Sequence, residues 1–235
     1  GETKKITITI EFIKDLTKED LPKQTSTISL SYKLNFVQTD EKATSGSQGG
    51  NEKTYAVGDE FCLENECFNV IKDNGTTVDA FAKQNVNTES NRQDSNANTL
   101  AFAEKTNGNY GYWTDSKGNL LSKYGTSYPS NVFDSNSLLY EPLQNYKTYL
   151  KNTLGKTSID ARLITYEELI GLGCSDNSCK SAPAWVYSTY YWTASAYYHS
   201  YVYVVNSVWS FGTRTFDNSS DYGFRPVITI SKSDI

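Results

Sequence analysis

With 235 residues, 37% of them hydrophobic and 14% aromatic, the chain has enough apolar material for one substantial core and a smaller module. Its formal net charge of -5 and pI of about 5.0 give no basic footprint, which excludes nucleic acid and anionic membrane surfaces as partners. Tyr (18) outnumbers Phe (10), and Tyr mixed with many Asn, Ser and Thr is the composition of extracellular β modules and of binding surfaces.

Met is absent from the sequence, so its start reads as trimmed or processed, which leaves room for a membrane anchor upstream. No apolar run approaches the roughly 20 residues that a membrane span needs. Residues 4–12 alternate Ile6, Ile8, Ile10 and Phe12 with polar positions, and 25–37 repeat the pattern through Ile28, Leu30, Tyr32, Leu34 and Phe36. This is the signature of half-buried strands and predicts a small β module over 1–38. The Gly/Ser-rich, aperiodic stretch 39–53 reads as a linker.

A second domain, 54–235, opens with expected strands at 54–63, 66–72 and 76–83, the last two joined by Asn74-Gly75, a strong hairpin signal. The polar stretch 84–98 lacks the spacing of a calcium loop and reads as solvated. Residues 106–136 are irregular, with Trp113 at their centre, and are expected to be packed by their own aromatics. Leu139, Leu143, Tyr146, Leu150 and Leu154 share one face of a helix expected over 139–153, with Pro142 in its first turn and Gly155 ending it. A short strand, ARLI, precedes Thr165-Tyr166-Glu167-Glu168, in which Thr165 caps a helix and Glu168 completes a capping box. Beyond Pro183 the chain returns to strands: YYWTAS, YVYVVN, GTRTF and YGFRPVITI.

The cysteines form two local pairs, Cys62/Cys67 and Cys174/Cys179. A turn at Glu64-Asn65-Glu66 would set the first two sulfurs opposite each other across a hairpin, so disulfides and an oxidising, extracellular or cell-surface setting are expected. A zinc site built from all four thiolates, or free buried thiols, are the alternatives.

The order of elements, with Arg162-Leu163-Ile164-Thr165-Tyr166-Glu167-Glu168-Leu169 before the second helix and Gly223-Phe224-Arg225 near the end, resembles the C-type lectin-like fold. The version in question is shared by formylglycine-generating enzymes and the variable proteins of diversity-generating retroelements. The resemblance covers 54–235 and implies an α+β domain of mixed strands with two helices. In the closing motif, Gly223 admits a turn before an Arg225 whose guanidinium can satisfy buried carbonyls. The reactive cysteines of the enzymes have no counterpart between Cys179 and Arg225, and the Trp-Asn-Asp ligand run of calcium-dependent lectins is missing.

The variable-protein likeness implies a ligand face made by Tyr197, Tyr198, His199, Ser200, Tyr201, Tyr203, Ser207, Trp209, Phe211, Arg214, Phe216, Asn218 and Asp221, while Trp192, Val202, Val204 and Phe224 are assigned to the core. Trp209 is not reached from an Asn codon by one adenine-directed change, so that position needs another origin. With a single His no nucleophilic triad can be assembled. Glu167 and Glu168 diverge on their helix, and Asp217 and Asp221 have no apolar pocket implied around them. The expectation is a non-enzymatic binding protein with no cofactor and no metal, taking a protein or glycan ligand on another cell or phage. A pilin or adhesin subunit, and a formylglycine-generating or hydrolytic enzyme, are the alternatives.

Overall fold

The computed structural model describes residues 53–105 and 109–235. The chain divides into two units, Gly1–Gln48 and Gly49–Ile235. The strands expected within 1–38, and all of the expected linker except Lys53, lie outside the described residues.

The described elements are β1 (Glu60–Leu63), β2 (Glu66–Asp73), β3 (Thr77–Ala82), β4 (Val86–Asn87), β5 (Arg92–Gln93), β6 (Ser130–Asn131), α1 (Tyr140–Asn152), β7 (Ile159–Leu163), α2 (Tyr166–Gly171), β8 (Tyr191–Tyr198), β9 (Tyr201–Val205), β10 (Phe211–Thr215), β11 (Gly223–Phe224) and β12 (Pro226–Ser231). The architecture is α+β, mostly sheet with two helices. One large sheet runs β1-β2-β3-β12-β7 and a second runs β10-β9-β8-β11, with β6 added to β8; β4 and β5 form a separate two-stranded ribbon.

Most expected elements are present with shifted ends. The first strand keeps only Glu60–Leu63 of the expected 54–63, because the segment before it is tied sideways: the Tyr55 amide donates to Asp73 (2.9 Å) and the Gly58 amide to Val70 (2.8 Å). The helix expected over 139–153 is α1, and it buries Leu143, Tyr146 and Leu150 on one stripe. The polar stretch 84–98 is ordered by its own side chains: Asn98 Oδ1 accepts from Thr88, and Gln93 Oε1 accepts from Lys83 and Gln84. The terminal segment YGFRPVITI is two strands in two sheets. β11 runs parallel to β8, and β12 lies antiparallel between β3 and β7.

Two core clusters serve both sheets. Val78, Ala80, Ala82, Ile228 and Ile230 of the first sheet meet Trp192, Val202 and Val204 of the second and the buried face of α1. Phe81 and Val227 join Tyr191, Val205 and Phe211 in the other cluster. Trp113 is fully buried and takes edge contacts from Phe102 and Tyr112, so the irregular stretch around it is packed by aromatics, as expected.

Thr165 caps α2 as predicted. Its hydroxyl accepts from the Glu168 amide, and the Glu168 carboxylate accepts from the Thr165 amide (2.9 Å). The same carboxylate takes both ends of Arg162, at 2.8 and 2.6 Å, in a bidentate pair. Gly223 is required by close approach and not by a turn: a Cβ there would sit 2.6 Å from Asn85 Nδ2.

Both cysteine pairs are disulfides, so the four sulfurs are not gathered around a zinc. Cys62 and Cys67 are register partners across the β1–β2 hairpin, whose turn holds Glu64 at φ 54°. Cys174 and Cys179 are buried in the second cluster. Disulfides persist in oxidising compartments. No helix among the described residues is long and apolar enough to cross a membrane.

Glu66 is buried at the start of β2, where its Oε2 accepts from Tyr146 (2.8 Å) and from the Gln93 amide (3.0 Å). Burial pushes its carboxyl above 4.5 despite these donors.

Two outcomes are expected. Under mild thiol reductant, alkylation and mass spectrometry should find the exposed Cys62–Cys67 bridge opened first, with Cys174–Cys179 protected until the domain unfolds; simultaneous opening would contradict the burial difference. Because the folded pKa of Glu66 is raised, its contribution is present below the ordinary value of 4.5 and is lost as pH rises through the folded value. The melting temperature of Glu66→Gln should therefore gain on the native chain as pH increases, and a constant difference would assign the pH dependence elsewhere.

Candidate functional site

β8 does not alternate cleanly. Its pairing with β9 slips between Trp192 and Ala196 and again between Ala196 and Tyr198. Buried Thr193 and Ser195 occupy the irregularity: the Thr193 hydroxyl accepts from the Ser195 amide (3.1 Å), and Ser195 Oγ accepts from the amide of Tyr166 (3.0 Å). Such bulges bend a strand and re-aim its side chains. Here the adjacent Tyr197 and Tyr198 are both about half exposed, at 51% and 50%, whereas regular alternation would turn one of them inward.

The predicted face therefore separates into three places. The first is a cleft of about 400 Å³ lined by Tyr197, Tyr203, Phe211, Gly212, Thr213, Asp176 and Asn177. The Tyr197 and Tyr203 rings meet at 84° with centroids 5.5 Å apart, forming a corner. Behind Tyr203 stand Tyr166 (4.6 Å) and Phe211 (5.1 Å). Asp176 and Asn177 are brought in by the loop that the Cys174–Cys179 bridge closes, and the Tyr166 hydroxyl donates to Asp176 (2.9 Å). That bond, then desolvation, raises the Tyr166 hydroxyl. Burial, then Tyr166, Asp176, Tyr197 and Glu167, push Tyr203 up to about 12.

The second place is the β8–β9 turn. The His199 ring lies 4.1 Å from Tyr198 and 4.9 Å from Tyr110, centroid to centroid, and Tyr128 contacts Tyr198 at 5.6 Å. His199 Nδ1 is buried without a hydrogen-bond partner among the described residues. The backbone of the turn is anchored: the carbonyls of His199 and Ser200 accept from the amides of Gly111 and Phe216. Tyr201 follows, 40% exposed.

The third place lies beside Arg214. A cleft of about 540 Å³ is lined by Tyr190, Asn206, Val208, Arg214, Ser220, Asp221 and Tyr222. Tyr222 donates to Asn206 (2.7 Å), Arg214 stands 5.8 Å over the Tyr222 ring, and Asn218 donates to Asp221 (3.2 Å). Ser207 lines a neighbouring groove with Asn85 and Asp94. Trp209 is half exposed with φ 55°, a left-handed conformation that is a genuine outlier for a bulky side chain. Lys180 lies 5.6 Å over its ring.

Two expected site residues belong to the core instead. Phe211 and Phe216 are each 1% exposed. Phe211 stacks on Tyr166 at 5.6 Å, and Phe216 meets the edge of Trp113 at 5.6 Å. Phe211 still contributes the buried floor of the first cleft. Trp192, Val202, Val204 and Phe224 are fully buried, as expected. Missing from the sequence-based site are Tyr166, Asp176, Asn177 and Thr213, along with Tyr190, Asn206 and Tyr222. The first three come from the α2 start and the disulfide loop, far from 190–225 in sequence.

Two of the carboxylates weighed for catalysis are engaged in structural contacts. Glu168 is held by Arg162 and its own cap, and Asp217 pairs with Lys105 at 2.9 Å. Among the described residues, the grouping with metal-ligand spacing is Glu60 with Cys62 and Cys67, whose sulfurs form a disulfide. No family model, curated protein or solved structure matches the chain.

The division between core and surface rings has a measurable consequence. Phe216→Ala should lower unfolding stability by about 3–5 kcal/mol, the range for emptying a buried aromatic site. Tyr201→Ala should cost under about 1 kcal/mol. Equal losses in chemical denaturation would place Tyr201 in the core.

Proposed function

We propose that the domain is a non-enzymatic binding module of the cell surface or extracellular space. It presents the β8–β10 strands and their turns to a protein or glycan ligand on another cell or phage. The observation that carries this is the exposure of Tyr197, Tyr198, Tyr201 and Trp209 on one stretch of chain, beside strands β8 and β9 that bury most of their other residues. Tyr and Trp supply contact area at low entropic cost and dominate binding hot spots. The left-handed Trp209 adds weight, since backbone strain kept at an exposed turn points to use of the side chain.

The finer assignment is a C-type lectin-like domain of the kind found in retroelement-diversified variable proteins. It is supported by the capped Arg162–Glu168 start of α2, by buried Arg225 between the two sheets, and by the mixture of Tyr, Ser, Asn, His and Asp across 197–221. The disulfides support the extracellular setting.

The test is capture of labelled full-length protein by a panel of bacterial cells and by a glycan array, comparing the native chain with Tyr198→Ala/Tyr201→Ala/Trp209→Ala. Capture at one or more targets, lost in the triple variant at an unchanged melting temperature, is the expected result. Undiminished capture, or none by the native chain, would refute the reading. The diversification claim has its own check in the DNA next to the gene: an imperfect repeat of the 190–225 coding segment that differs only at adenines, beside a reverse transcriptase.

A further inference from the structure

The cleft between Tyr197, Tyr203 and the disulfide loop has a chemistry that its neighbours lack. Its walls are two tyrosine rings at right angles, its rim carries the Asp176 carboxylate, and none of its lining residues is a cation. Tyrosine faces present the negative side of the ring quadrupole, and a cation within about 6 Å of a ring centroid is attracted to it. The carboxylates of Asp176 and Glu167 reinforce this sign, because both act on the hydroxyl of Tyr203. The Arg214 cleft differs, having a guanidinium in its lining.

We propose that this cleft binds a quaternary ammonium group, the trimethylammonium of a choline-like ligand, in the corner that the Tyr197 and Tyr203 rings form and beside Asp176. Asp176 Oδ1 already accepts the Tyr166 hydroxyl. The site offers ring faces and a fixed negative charge, which suit a weakly hydrated cation better than a strongly hydrated primary ammonium. A trimethylammonium has no donors to satisfy and little hydration to lose. The Cys174–Cys179 bridge and the Tyr166–Asp176 bond hold the carboxylate in position before any ligand arrives, which lowers the ordering cost of binding.

This assignment rests on the binding-module reading and names a ligand class for one part of its face. The test titrates the full-length chain with choline, with 3,3-dimethylbutan-1-ol, which has the same shape without the charge, and with ethanolamine. Calorimetry and the ring-current shift of the ligand methyl protons are the readouts. Choline should bind and shift upfield, with the neutral isostere and the primary amine each weaker by about threefold or more. Asp176→Asn and, separately, Tyr197→Ala should each weaken choline binding by a similar factor at an unchanged melting temperature. Because Tyr197 is half exposed, its variant should fold. Equal binding of choline and its neutral isostere, ethanolamine binding as tightly as choline, or no shift at about 10 mM choline, well above a millimolar Kd, would overturn the assignment. If choline fails while the triple variant still loses target capture, only this assignment falls; if both fail, the binding-module reading falls with it.

Discussion

Arg225 is the joint on which the two sheets depend. It sits between β11 in one sheet and β12 in the other, fully buried, and among the described residues no carboxylate pairs with it. Its Nε donates to the carbonyl of Ala82 and its Nη1 to that of Val186 (3.3 Å). The guanidinium lies 4.2 Å from the Phe81 centroid and 5.5 Å from that of Tyr191, one ring from each sheet. Burial lowers its pKa to about 10, which leaves it charged at neutral pH. Desolvating a cation is costly; two carbonyls and two ring faces offset part of that cost, while Nη2 is buried without a hydrogen-bond partner among the described residues. Arg225 is therefore both a structural cation and a constraint: β3, β8 and the turn at Val186 must all stay in register with it.

That constraint fixes what the rest of the C-terminal segment is free to do. With Tyr191 and Trp192 committed to the cores on opposite sides of β8, the strand enters the domain in one fixed orientation. The irregularity around Thr193 and Ser195 then releases its far end. The two tyrosines that follow turn outward together, and neither is part of the packing that Arg225 organises. Core and display are thus separated along a single strand by one local defect in pairing.

Local signals in the sequence marked the scaffold well, and the physical reasons are visible residue by residue. Thr165 and Glu168 form a capping box because the interaction spans only three residues. α1 was legible from Leu143, Tyr146 and Leu150 because helical period and burial coincide. Arg225 satisfies carbonyls as its chemistry suggested. The cleft was not legible, since Asp176 and Asn177 reach Tyr203 only through a disulfide loop and the register of β9 with β10. Phe211 and Phe216 were assigned to the surface from the variable-protein likeness and the residue mixture around them. Their burial depends on partners, Tyr166 and Trp113, more than 40 and 100 residues away in sequence. Composition identifies rings suited to binding but does not say which side of a strand they occupy.

The division extends to the walls of the cleft. Tyr166 opens α2, and its position is set by the Thr165 cap, by its amide bond to Ser195 and by the Arg162–Glu168 pair behind it. Its hydroxyl holds Asp176, whose loop is closed by Cys174 and Cys179. This side of the cleft is built from scaffold. The opposite side, Tyr197 and Thr213, comes from β8 and β10, which both pair with β9 through backbone hydrogen bonds. Substitutions there would alter shape and polarity without touching the cap, the bridge or Arg225. A surface of this construction can change in shape and polarity while the fold is kept, because its residues are not the residues that hold the sheets together.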